Sequence, residues 1–415
     1  MRRRDYAAGV ALAAIVVLAA SPVLAANFDP VAATDAYLKS LPAAARAKSD
    51  AYFEGGYWLI LWNALWTIGA LVLLLATGLS ARMRDLAVRV SRVRFVQVAI
   101  YAVLFTLITA LLSLPLDIYQ QFVREHAYNL SNQNFGSWLS DDLIGLAISV
   151  VTSAIALPVI YAVIRAAPRL WWLWGSLVAV GFLCITIVIS PVFLEPLLNH
   201  FTPLAPGPLR EQILSMARAN GIPAHDVYEF DNSRQTNRMS AHVSGLFGTT
   251  QISLNDNLVK QGTPDEVLAV LGHEMGHYVM NHVLNFVLQL ALIFAGGFAF
   301  ARWGFDRVAS RFGAHWRLQG VADPAGLPLL AAAFTLYLFL LTPVVNSLIR
   351  AQEMQADLFG LNLARRPDAF ATAALKLSTY RKLDPSPLEE IIFYNHPSGH
   401  TRILTAMRWK AEMQH

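Results

Sequence analysis

The stretch Glu266-Val267-Leu268-Ala269-Val270-Leu271-Gly272-His273-Glu274-Met275-Gly276-His277 decides how this chain is read. It reads as helix, opened by Thr263-Pro264-Asp265-Glu266. Thr263 suits an N-cap, proline the first helical position, and the two acids the first turn. His273 and His277 stand four apart, one turn from each other on one face, so their imidazoles converge on one ion. Glu274 reaches a water held by that ion. A zinc bound by imidazoles and one carboxylate lowers the pKa of its water to about 7. The pattern therefore predicts metal-assisted hydrolysis of a peptide bond, with one Zn2+ per chain. The helix is expected to run on into a membrane span from residue 283.

Composition sets the surroundings of this helix. The chain has 415 residues, 55% of them hydrophobic, a mean hydropathy of +0.44 and only 14% charged residues. Soluble domains average about 25% charged. Apolar runs able to span a bilayer occur at 57–79, 95–116, 143–164, 170–194, 283–303 and 327–349. The single cysteine, Cys184, lies inside such a run and belongs to no metal motif. A pI near 9.2 suggests nucleic acid as a partner. The basic residues instead cluster in short loops between spans, where they set topology, so that partner is rejected.

Arg2, Arg3 and Arg4 precede an apolar stretch and then Ser21-Pro22-Val23-Leu24-Ala25-Ala26. Residues 1–26 fit a signal peptide and equally a first transmembrane helix. Either way the arginines stay inside and residue 27 emerges outside. Arginines then fill the 80–94, 165–169 and 302–317 loops, whereas the opposite loops carry Asp29, Asp50, Glu54, Glu125, Asp141 and Asp142. By the positive-inside rule, 195–282 and the C-terminus are extracytoplasmic. The signal-like start suggests a bacterial inner membrane.

The expected organisation is transmembrane helices with short loops over 27–194, then a first metalloprotease part over 195–282. Two transmembrane helices follow over 283–349 and a second metalloprotease part over 350–415. The first part reads as an amphipathic helix over 208–220, a strand at Val227–Phe230 and a hairpin from Val243 to Leu254 turning near Gly248. The fold class is a mainly α membrane protein of six or seven transmembrane helices, capped by an α+β protease domain.

A catalytic zinc needs a third protein ligand. Ten residues after His273 stands Val283, which excludes the metzincin arrangement. His282 is off register and reads as a polar residue at the membrane boundary. The better candidate is Glu353, in Arg350-Ala351-Gln352-Glu353-Met354-Gln355-Ala356-Asp357. Asp357, one turn on, suits a carboxylate that orients a ligating histidine through its other ring nitrogen. Near the end, His396 and Arg402 in His396-Pro397-Ser398-Gly399-His400-Thr401-Arg402 suit stabilisation of an oxyanion.

Taken together these residues resemble the type I CAAX prenyl endopeptidases, a family of integral-membrane zinc proteases. The likeness runs from about residue 50 onward. It includes the 266–277 stretch, Arg350 with Glu353 and Asp357, His396-Pro397 with Arg402, Leu114-Pro115 with Tyr119, and Phe201-Thr202-Pro203-Leu204. The resemblance implies that His273, His277 and Glu353 bind zinc and that Glu274 is general base and then acid. Asp357 would support the site, and His396 and Arg402 the oxyanion. Ala241, His242, Val243, Ser244 and Gly245 would hold an extended substrate by main-chain pairing. It further implies a helical barrel around a water-filled chamber, with peptides or membrane-associated proteins as substrates. The family's Asn-Ala-aromatic at the substrate strand is replaced here by Ser240-Ala241-His242. Two other roles fit the same pattern: quality control of membrane proteins, and a non-catalytic zinc-containing chamber that binds lipidated or amphipathic peptides. Only proteolysis gives Glu274 a task.

Overall fold

The computed structural model describes residues 28–245 and 250–413. The expected signal peptide or first helix, and the turn near Gly248, lie outside the described residues. Each of the six apolar runs lies mainly in one long helix, the first overrunning its helix end by three residues: Ala43–Ala76, Arg94–Ala127, Phe135–Ala166, Trp171–Leu198, His282–Phe312 and Pro324–Ala364. About twenty residues suffice to cross a bilayer. At 28 to 41 residues these helices project beyond it. Their apolar windows stay largely exposed, as lipid-facing surfaces should.

We number the helices in chain order. Before the sheet come α1 (Pro30–Ser40), α2 (Ala43–Ala76), α3 (Leu79–Val90), α4 (Arg94–Asp117), α5 (Phe135–Ala166) and α6 (Trp171–Ile189). Residues 80–94, expected as a loop, hold α3. It starts after Gly78, whose φ of +68° turns the chain sharply between two helices. Its Met83 and Ala87 pack on Tyr101 of α4. The arginine-bearing segments gather at one end of the bundle. There Arg84 reaches Asp323 at 2.7 Å and the Arg317 carbonyl at 3.0 Å, and Arg302 donates to the Arg169 carbonyl.

The opposite end carries a small sheet and the remaining helices. Strands β1 (Phe201–Pro203), β2 (Val227–Phe230), β3 (Ala241–Ser244) and β4 (Gln251–Asn255) lie in the order β1-β2-β4-β3. Among the described residues β3 pairs with β4 alone, antiparallel, and is the outermost strand. Around the sheet lie α7 (Pro208–Ala219), α8 (Asp256–Gln261) and α9 (Pro264–Val279), then α10 (His282–Phe312) and α11 (Leu327–Ala364), then α12 (Pro367–Leu377), α13 (Pro387–Phe393) and α14 (Gly399–Glu412). One core joins Ile213, Val227, Ile252, Leu254, Leu271 and Met275. A second joins Ala269, Leu361, Phe370, Leu383 and Ile403, so residues from both polar segments share it. Between α4, α5 and this layer lies a polar cavity of about 700 Å3, lined among others by Asp117, Glu125, Asp141, Gln235 and Arg238.

Two local features position the site. Helix α9 is opened by a reciprocal capping box between Thr263 and Glu266, as its first residues suggest. It crosses α11 at very short range, with Gly272 and Gly276 facing Ala356 and Gly360. A Cβ on Gly360 would lie 2.7 Å from the His273 backbone nitrogen, so only glycine permits this approach. The second feature overturns an expectation: α9 does not run on into the span from 283. It ends at Val279, Asn281 takes a left-handed φ of +54°, and α10 starts afresh at His282. Asparagine tolerates that conformation better than most residues. The break turns His282 back toward α9.

Candidate metal centre and active site

One turn of α9 and one turn of α11 build the centre. His273 and His277 come from α9, Glu353 and Asp357 from α11. The Nε2 atoms of the two histidines are 3.1 Å apart. Glu353 Oε2 is 3.2 Å from His273 Nε2, and Glu353 Oε1 is 3.5 Å from His277 Nε2. Ligands at about 2.0–2.1 Å from a tetrahedral zinc are about 3.3 Å from one another. The triangle therefore has the dimensions of one face of such a tetrahedron. Glu353 Oε2 is also buried without a hydrogen-bond partner among the described residues, as a metal-binding oxygen would be. The donor set of two imidazoles and a carboxylate suits zinc chemistry.

Each histidine is held from behind. His273 Nδ1 is 2.7 Å from Asp357 Oδ1, and Asp357 is wholly buried. Asp357 accepts two further hydrogen bonds, from Arg402 Nε at 3.0 Å and Nη2 at 2.6 Å. The Nδ1–H of His273 thus donates to the carboxylate and leaves Nε2 as a lone pair facing the centre. His277 Nδ1 is 3.0 Å from His282 Nδ1, whose Nε2 is 3.1 Å from Gln355 Oε1. An amide oxygen only accepts, so His282 carries its proton on Nε2 and accepts at Nδ1. His277 then donates from Nδ1 and also presents a lone pair at Nε2. In the metal-free protein, burial disfavours the His273 cation. Asp357 and Glu353 outweigh that and raise its pKa to about 10.

Glu274 sits outside this triangle and lines an adjacent cavity of about 170 Å3, together with Ala241, His273, Arg381, His396 and Arg402. Burial raises its pKa, against the opposing effect of His273 and His277. His396 Nε2 is 3.2 Å from Glu353 Oε2. Its position follows from Arg350, which donates to the carbonyls of Glu390 at 2.6 Å and Tyr394 at 2.5 Å. Burial and the charge of Arg381 lower the His396 pKa to about 3, so its imidazole is neutral. Ser398 caps α14 and sets Arg402 on that helix's first turn. Arg402 reaches the cavity, but two of its three nitrogens are engaged by Asp357, and its guanidinium lies 5.2 Å from the Phe370 ring centroid. It is committed to Asp357 first.

His273, His277, Glu353, Asp357, Glu274, His396 and Arg402 meet here, and of the substrate strand Ala241 lines the cavity, with Ala241–Ser244 forming the edge strand and Gly245 following it at φ +94°. His242 Nε2 lies 3.4 Å from Glu195 Oε2. Two residues escaped sequence reasoning. His282 reads in the sequence as a boundary residue, and only the break at Asn281 turns it toward His277. Arg381 lies in no motif, and only the packing of α12 brings it to the cavity.

The model of peptidase family M48 matches residues 203–410. A second model, described as CAAX prenyl protease N-terminal, five membrane helices, matches residues 33–200. The chain is 32% identical over 344 residues to a Bacillus subtilis protein named Uncharacterized metalloprotease YhfN, covering 82% of this chain and 80% of that one. It is 30% identical over 335 residues to CAAX prenyl protease 1 of Saccharomyces cerevisiae, covering 74% and 71%. The crystal structure of S. mikatae Ste24p shares the fold, with a TM-score of 0.73 at 23% identity, over 91% of this chain and 95% of that one.

Proposed function

Since the chain belongs to peptidase family M48 and is an integral-membrane metalloendopeptidase, we propose that its metal is zinc, held by His273, His277 and Glu353. The observation that carries this reading is the triangle of three ligand atoms, all within 4.8 Å of one another, beside a carboxylate that takes no part in it. When bound, the metal supplies Lewis acidity and an acidified water. Glu274 accepts the proton of the attacking water and passes it to the leaving amine. We assign His396, which lines the cavity beside Glu274, to the oxygen on which negative charge develops. Arg402 works mainly by holding Asp357, and Asp357 by holding His273. We assign His282 the same task toward His277.

The substrate, in this reading, is an extended segment of a membrane-associated or lipidated polypeptide. It pairs with the open edge of β3, beside the cavity that holds Glu274. The CAAX prenyl protease names of the relatives support such a substrate. We place the site on the extracytoplasmic face of a bacterial inner membrane, because the arginine-rich segments gather at the end of the bundle opposite the sheet. The test compares protein termini in membrane and extracytoplasmic fractions of cells carrying the wild type or Glu274→Gln. Termini that require the wild type, on extracytoplasmic segments, are expected. No difference in termini, or differences confined to cytoplasmic segments, would contradict the reading.

Two predictions follow from the histidines. His282→Ala is expected to lower zinc affinity by about 10–100-fold, the usual cost of losing a group that orients a ligand. Competition with a chelator measures this. Unchanged affinity would remove His282 from that role. The second concerns pH. Because the metal-free His273 holds its proton up to about pH 10, that proton must leave before zinc binds. Affinity should fall as pH falls, roughly tenfold per unit between about pH 8 and pH 6, from this one site. Calorimetry in buffers of different ionisation enthalpy should count the released proton. Binding independent of pH and buffer would refute it.

A further inference from the structure

At the arginine-bearing end of the bundle a pocket of about 300 Å3 opens between α3, the start of α4, the end of α5 and the 319–324 segment, whose Asp323 also lines it. Three arginines line it. Arg84 is neutralised, with Asp85 at 2.8 Å and Asp323 at 2.7 Å. Arg94 and Arg165 are not: neither has a carboxylate within 4.0 Å among the described residues. The two charges act on one another, so the pocket holds an uncompensated pair of like charges. Arg94 is the first residue of α4, and the first backbone bond of that helix is from Gln97 to the Val93 carbonyl. The N–H groups of residues 94–96 therefore have no partner within the helix, which adds to the positive potential at this end.

The position of the pocket decides which anion suits it. Both arginines stand at the ends of membrane-spanning helices. Around them Val88, Val90, Val93 and Phe95 are exposed. A free anion has no use for such an apolar collar, whereas an acyl chain does. Lipid phosphate is also the anion most concentrated at a bilayer boundary. We propose that this pocket binds the phosphate of an anionic membrane phospholipid, with Arg94 and Arg165 as its cationic contacts and the apolar collar against its acyl chains.

The test uses the full chain, purified in detergent and stripped of lipid, then titrated with phosphatidylglycerol and separately with phosphatidylcholine. Native mass spectrometry reads the lipids retained. One tightly held phosphatidylglycerol per chain is expected, in preference to phosphatidylcholine. This comparison needs no variant. The double variant Arg94→Gln/Arg165→Gln should bind phosphatidylglycerol roughly thirtyfold more weakly, the combined worth of two arginines at an anionic surface. The variant Arg89→Gln/Arg92→Gln, which removes equal charge outside the pocket, should bind like the wild type. Equal retention of the two lipids, or equal weakening in both double variants, would overturn the proposal. So would displacement of the lipid by inorganic phosphate at the same concentration, which would mark a site for free anions.

Discussion

Replacing Glu274 with glutamine is expected to lower peptide hydrolysis by about 10²–10⁴-fold, the range for loss of a general acid-base group, while one zinc per chain is retained. The amide keeps the size of the side chain but cannot accept a proton from water. Glu274 lies beside the ligand triangle rather than in it, so the metal has no reason to leave. Burial raises the pKa of this carboxyl, which strengthens it as a base relative to an exposed glutamate. The experiment pairs cleavage kinetics with metal content by elemental analysis. Wild-type turnover in a fully metallated Glu274→Gln protein would sink the mechanism. Loss of metal together with activity would instead make Glu274 part of the binding set.

The second large effect is expected at Asp357. This carboxylate is fully buried and faces the His273 ring on one side and the Arg402 guanidinium on the other. Asp357→Ala leaves a buried guanidinium without its counter-charge, which typically costs about 3–5 kcal/mol. It also frees the ring of His273, so zinc affinity should fall by about 10–100-fold. Thermal denaturation of the metal-free protein isolates the first effect, and chelator competition the second. Removing both charges, as in Asp357→Ala/Arg402→Leu, should restore part of the stability, because no charge is then stranded. It should not restore zinc affinity. A metal-free Asp357→Ala protein as stable as the wild type would show that the pair does not hold this region together.

The parts legible in the sequence are those that local spacing encodes. An i, i+4 pair of histidines meets on one face of any α-helix, and Glu353 and Asp357 repeat that spacing on another. Apolar length identifies a membrane span whatever surrounds it, which is why all six runs reappear as helices. The capping box of Thr263 and Glu266 is equally local.

Tertiary structure decided what those groups do for one another. Glu353 stands eighty residues after His273, and only the glycine-lined crossing of α9 and α11 makes them neighbours. That same crossing brings Asp357 against the back of His273. Arg402, expected at the oxyanion, is drawn to the buried carboxylate because an unpaired charge there would be costly. His282 became a support for His277 through a single left-handed residue, Asn281, that ends one helix and starts another. The open edge of β3 follows from strand order, since β4 pairs with β2 on its far side and leaves β3 outermost. Periodicity along the chain specifies which side chains share a face. Which faces meet depends on how closely the backbones can pack, and here glycine permits that approach.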